Sequence, residues 1–131
     1  MDALVKAALQ VRANAHAPFS KFEVGAALED DAGHVHTGCN VENATYGLTV
    51  CAERIAVFKA ISEGARKFRR MAIAADTDNL TPPCGACRQI LWEFAGDLEI
   101  ILANGQCETG RYQLRDLLPV PFDGCLLTKN E

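Results

Sequence analysis

The chain has 131 residues, 49% of them apolar and 23% charged, with a formal net charge of -4. That length holds one domain, is too short for two ordinary ones, and buries enough surface to need no disulfides. The acidic balance argues against a standing nucleic-acid partner, because binding phosphates calls for a positive field.

Residues 2–14 place Leu4, Val5, Ala8, Leu9 and Arg12 on one face of an amphipathic helix. The segment lacks the basic stretch ahead of an apolar block that marks a signal peptide. No apolar run along the chain approaches the ~20 residues that span a bilayer. The expectation is a soluble cytoplasmic protein with no membrane partner. Thiols stay reduced in that compartment, so the six cysteines read as thiols or metal ligands rather than as three disulfides.

After the loop "APFSKF", "EVGAALE" at 23–29 predicts a strand, "DDAG" a turn and "HVHTGCN" a returning strand, which together make a hairpin. "VENATYG" is a polar loop. Residues 49–63 predict a helix, with Thr49 as its N-cap and Gly64 as its stop. The basic cluster "ARKFRR" at 65–70 reads as cations at that helix's C-terminal end, where the dipole favours them, rather than as a phosphate patch. "RRMAIAAD" at 69–76 is a buried strand and "TDNLTPP" a loop. "CGACRQILWEFAG" is a helix opened by Pro83 and closed by Gly96. "LEIILAN" is another buried strand, "QCETGRYQ" an edge strand, "LRDLLP" a last helical turn and "VPFDG" a tail. The order α-β-β-α-β-α-β-β-α predicts a three-layer α/β/α sandwich with a mixed five-stranded sheet, a single domain over 1–131.

Chemistry concentrates at two helix starts. Cys84 and Cys87 form a C-x-x-C, which alone fits a redox pair, half of a structural zinc site or a set of catalytic ligands. Cys51 and Glu53 open the earlier helix. If both starts converge, three thiolates meet at one point, and three protein ligands with one open position describe a catalytic zinc site. Cys39, Cys107 and Cys125 sit in no such pattern and read as small buried hydrophobes. Helix N-termini favour thiolates. Three thiolates on Zn²⁺ leave a formal charge of about -1, which weakens the ion as a Lewis acid. Arg54 could draw charge from the sulfurs with its guanidinium, or form a surface salt bridge. Glu53 could take a proton from an attacking water and pass it on, or face solvent in the helix's first turn.

Cys-x-Glu followed by Pro-Cys-x-x-Cys resembles the signature of zinc-dependent nucleoside and nucleobase deaminases. The strings "FSKFEVGAAL", "GCNVENATYGLTVCAER" and "PPCGACRQIL" are together similar to cytidine deaminases, over most of residues 17–122. The short chain resembles the small homotetrameric class with three cysteine ligands. The resemblance implies one Zn²⁺ per subunit on Cys51, Cys84 and Cys87, with Glu53 as proton carrier. It implies hydrolytic deamination of cytidine and 2′-deoxycytidine to the uridines, with release of ammonia, in pyrimidine salvage. Phe22 would pack on the pyrimidine, and Asn40 and Glu42 would bind the ribose, chiefly its 3′-hydroxyl. The backbone around Ala52 and the Glu53 carboxylate would read the base edge. Tyr46 and Phe122 would reach a neighbouring subunit's site.

Without the resemblance, Phe22 and Phe122 read as core aromatics, and Asn40 and Glu42 as a capped polar turn. A structural zinc module, a thiol–disulfide oxidoreductase on Cys84 and Cys87, and a deaminase of a nucleoside antibiotic such as blasticidin are the rival readings. Val50, Ala52, Ile55, Ala56, Val57, Phe58, Ala60 and Ile61 make the helix at 50–63 apolar around much of its girth. Burial on two sides is expected, against the sheet and against neighbouring subunits.

Overall fold

A computed structural model describes residues 1–78 and 80–127; Asn79, within the expected loop "TDNLTPP", lies outside them. The elements run α1 (Ala3–Arg12), β1 (Val24–Asp30), β2 (Val35–Cys39), a 3-10 turn (Tyr46–Leu48), α2 (Ala52–Ser62), β3 (Phe68–Ala75), α3 (Gly85–Ala95), β4 (Glu99–Ala103), β5 (Glu108–Gln113), α4 (Leu114–Leu117) and a 3-10 turn (Gly124–Leu126). The sheet order is β2-β1-β3-β4-β5. Only β3 and β4 pair in parallel, and the other neighbours are antiparallel. The mixed five-stranded sheet matches the expected α/β fold.

Strand alternation sorts the core into two layers. Ala27, Ala72, Ala74, Ile101 and Ala103 meet Leu4, Val5 and Ala8 of α1. Ala26, Leu28, Met71, Ile73, Ile100 and Leu102 meet Ala52, Ala56, Val57 and Ala60 of α2, Leu91 of α3 and Leu114 of α4. Two strand glycines let the helices approach. A Cβ at Gly25 would lie 2.0 Å from the Ala8 carbonyl oxygen, and one at Gly38 would lie 2.6 Å from both the Ala52 oxygen and the Ala56 nitrogen. Glycine at 38 therefore fixes how closely β2 seats the first turn of α2. No helix among the described residues is long and apolar enough to cross a membrane.

Several boundaries differ from expectation for physical reasons. Cys51, not Thr49, is the N-cap residue of α2. The Thr49 hydroxyl instead accepts the Asn43 N–H at 3.0 Å, closing the 43–49 loop. Pro83 precedes α3, whose N-cap is Cys84. Gly64 does end α2: at φ +100 it follows the cap residue, and the Ala65 and Gly64 amides donate to Ala60 and Ile61 at 3.0 Å each. That pair of bonds is a Schellman ending, which glycine's freedom at positive φ permits. Within "ARKFRR" only Arg66 serves the helix end, donating to the Ile61 and Ala65 carbonyls. Arg70 on β3 pairs instead with Glu29 and Asp2. Cys39 is half-buried, and Cys107 and Cys125 are exposed, so they are not buried hydrophobes.

Candidate active site

Cys51 and Cys84 are each the N-cap of a helix, and neither makes a side-chain capping bond. A thiol is a poor acceptor for the free amides of a helix start, so both sulfurs stay available. Cys87 sits in the first turn of α3 and is fully buried. The two starts converge: the sulfurs of Cys51, Cys84 and Cys87 all lie within 4.8 Å of one another. Three sulfurs at ~2.3 Å from one tetrahedral zinc ion would sit about 3.8 Å apart, so the set needs little adjustment.

The electrostatics fit a cation. The Cys87 thiol donates a hydrogen bond to Cys51, and this, with the Arg54 guanidinium, lowers the Cys51 pKa to about 5. The Cys87 thiol is pushed up by the same bond and by burial. One thiolate thus holds a neighbour's proton where a divalent ion would satisfy both sulfurs. Arg54 Nη2 donates to Cys51 Sγ at 3.3 Å. Its Nε is buried with no hydrogen-bond partner among the described residues, so the side chain is given over to the sulfur cluster more than to the surface.

Glu53 lies in the first turn of α2 and is 5% exposed. Burial raises its pKa to about 7, a value suited to taking and giving protons near neutrality. A divalent ion on the sulfurs would draw it down.

Cys51, Ala52, Glu53 and Cys84 form one wall of a cavity of about 280 Å³, and Phe22, Asn40 and Glu42 form another. Of the residues singled out from sequence, these seven come together there. Ser20, Val24, Thr49, Ile73, Thr81 and Pro82 complete the lining, and no motif or spacing marks them for it. Asn40 Oδ1 accepts the Val24 amide at 2.9 Å, and its Nδ2 donates to the Phe22 carbonyl at 2.7 Å. Glu42 Oε1 accepts the Phe19 and Ser20 amides at 3.0 and 3.1 Å, and Oε2 accepts the Ser20 hydroxyl. Both side chains therefore brace the 17–22 loop, as in a capped turn, while facing the cavity. Phe22 is 40% exposed and so is not a core aromatic.

Tyr46 and Phe122 do not line this cavity. Tyr46 is stacked edge-on with Phe19, centroids 6.4 Å apart, beside an adjoining hollow of about 310 Å³ that shares Ser20, Glu42 and Thr49. Phe122 is exposed, and its carbonyl accepts from Gln89.

A three-thiol centre beside a buried carboxylate, at the mouth of a small cavity on an α/β sheet, has the makings of a metal-dependent hydrolase. A family model described as the cytidine and deoxycytidylate deaminase zinc-binding region matches residues 1–103. The cytidine deaminase of Halalkalibacterium halodurans is 48% identical over 120 residues, 91% of either chain. That of Sporosarcina psychrophila is 42% identical, over 93% of this chain and 90% of its own. The crystal structure of cytidine deaminase from Burkholderia pseudomallei superposes with a TM-score of 0.88 at 46% identity, covering 92% of this chain and 97% of that one. The chain belongs to the cytidine and deoxycytidylate deaminase zinc-binding family, and its three-cysteine cluster fits one zinc ion per subunit.

Proposed function

We propose that this chain is a cytidine deaminase: it hydrolyses cytidine and 2′-deoxycytidine to uridine and 2′-deoxyuridine with release of ammonia, as a step in pyrimidine salvage. The observation that carries this reading is the meeting of three cysteine sulfurs, with Cys51 and Cys84 lining the cavity beside a buried Glu53 whose pKa is raised to about 7. Residues 1–131 act as a single catalytic domain.

Zinc on Cys51, Cys84 and Cys87 supplies Lewis acidity that makes water a nucleophile near neutral pH. Glu53 takes a proton from the attacking water and places it on ring N3, which leaves C4 electron-poor. The C4–O bond forms and the C4–N bond breaks. A second proton carried by Glu53 leaves with the amino group as ammonia. Arg54 draws charge from Cys51. Phe22 packs on the pyrimidine, and the backbone at Ala52 and the Glu53 carboxylate read the base edge. Asn40 and Glu42 hold the sugar, chiefly its 3′-hydroxyl, using lone pairs and an amide proton left over from their loop bonds.

Tyr46 and Phe122 serve a neighbouring subunit's cavity in a homotetramer. Their exposure and their absence from their own cavity support this, as do the exposed apolar side chains of Leu48, Phe58 and Phe94. A cytoplasmic setting is supported by six unpaired cysteines. The rivals explain less. A closed structural zinc site needs a fourth protein ligand, and Cys39, Cys107 and Cys125 lie outside the cluster found among the described residues. A redox pair leaves Glu53 and Arg54 without a purpose.

The test is loss of cytidine absorbance on protein whose zinc has been counted. Turnover should scale with zinc content, stop on chelation and return with added zinc. No turnover at one zinc per chain would overturn the reading, and a monomer by light scattering would remove the shared roles of Tyr46 and Phe122.

A further inference from the structure

Phe22, at the end of the 17–22 loop, and Glu42 both line the cavity. One hydroxyl joins them. Ser20 Oγ accepts the Phe22 amide at 3.0 Å and lies in hydrogen-bond contact with Glu42 Oε2. An amide can only donate and an ionised carboxylate can only accept, so the hydroxyl proton must point to Glu42. That bond leads the causes holding the Glu42 carboxyl below its ordinary value. Between Ser20 and Phe22, Lys21 sits at φ +61, a left-handed conformation uncommon for a residue with a side chain. Its amide is tied to the Ala17 carbonyl at 3.0 Å. Ser20 also lines both the cavity and the adjoining hollow.

We infer that Ser20 is a positioning residue for substrate binding, coupling the sugar-facing carboxylate of Glu42 to the placement of the Phe22 ring through a single hydroxyl. This rests on the reading of Glu42 as a sugar contact. Ser20 aims the carboxylate and sets the backbone that presents the aromatic ring, without touching the reacting atoms. Its loss should therefore weaken ground-state and transition-state binding alike, which raises KM and spares kcat. A hydroxyl that merely shaped the loop would not discriminate between substrates that differ at the sugar.

The experiment measures steady-state kinetics of zinc-loaded enzyme with cytidine and with 3′-deoxycytidine. Ser20→Ala should raise KM for cytidine roughly tenfold with kcat within about twofold, and Ser20→Thr, which keeps the hydroxyl, should recover most of the loss. With 3′-deoxycytidine the Ser20→Ala penalty should shrink to about threefold or less, because the share that runs through Glu42 is lost with the hydroxyl and only the share that runs through the Phe22 ring remains. Ser20→Cys, a weak donor of similar shape, should behave like the alanine variant and serves in its place if Ser20→Ala is not recovered folded. Equal penalties on both substrates, a fall in kcat alone, or a KM within twofold of the parent would overturn the inference. Glu42→Gln separates the two levels. If it leaves the KM for cytidine unmoved, the sugar-contact reading fails; if it raises KM while Ser20→Ala does not, only the coupling fails.

Discussion

The two ends of α2 use ionisable groups in opposite ways. At the C-terminal end each has a partner: His36 is buried between Asp30 at 2.9 Å and Glu63 at 2.8 Å, and the last carbonyls are met by a Schellman turn and by Arg66. At the N-terminal end, Cys51 caps nothing, Arg54 Nε lacks a partner among the described residues, and burial holds Glu53 near neutrality. Buried polar groups are ordinarily satisfied, and those that are not tend to mark a place where something else binds. One end of the helix is finished by the fold; the other is completed by a metal ion and a substrate.

Changes at the open end should strike activity before stability. Cys84→Ala removes an exposed sulfur, and both zinc content and cytidine turnover should fall to background while circular dichroism at 20 °C keeps its native form. Full zinc occupancy in that variant would break the contrast. Arg54→Gln keeps the three sulfurs but withdraws the cation from Cys51; kcat/KM should fall roughly 10–100-fold, as is usual for groups that orient and tune metal ligands. A neutral effect would mean that the contact of Arg54 with Cys51 does not tune the metal site.

Changes at the closed end should do the reverse. His36→Gln leaves Asp30 and Glu63 facing each other without a cation, and a drop in Tm on the order of 5 °C with unchanged kcat is expected. The pH dependence of stability sharpens this. Burial opposes charge on His36, but hydrogen bonds to Asp30 and Glu63 outweigh it and raise its pKa above the ordinary 6.5. Its contribution is fully present below 6.5 and fades as pH rises through the folded value. Asp30, bonded to His36 and to the backbone of the turn, is lowered from 3.8. Its contribution is present above 3.8 and fades as pH falls through the folded value. The stability that this cluster contributes should therefore be greatest between about pH 4 and 6.5, and His36→Gln should flatten the decline in Tm above that window relative to the parent. Parallel curves for the two proteins would mean that this cluster carries no pH-dependent stability.

The same contrast explains what could be read from sequence. Short apolar runs, turn residues and glycine stops are local signals, and they located the sheet, the Gly64 and Gly96 endings and the edge strand. Cys51, Glu53, Cys84 and Cys87 were legible as a set because ligand spacing is chemistry written into the chain. Thr49 misled because hydroxyls are good caps and thiols poor ones, so a search for the start of α2 settles on the nearest threonine. The His36–Glu63 bond spans 27 residues, and no local pattern announces it. Nor does "APFSKF" reveal that Ser20 will meet Glu42, since the contact exists only once β1 and β2 pair.

The most direct measurement of the central claim is cytidine turnover by Glu53→Gln beside the parent, each at one counted zinc per chain. The account predicts the same zinc content, a Tm no lower than the parent's and a kcat reduced by about 10²–10⁴-fold, the range expected for loss of a positioned acid and base. Turnover within a few-fold of the parent would contradict it.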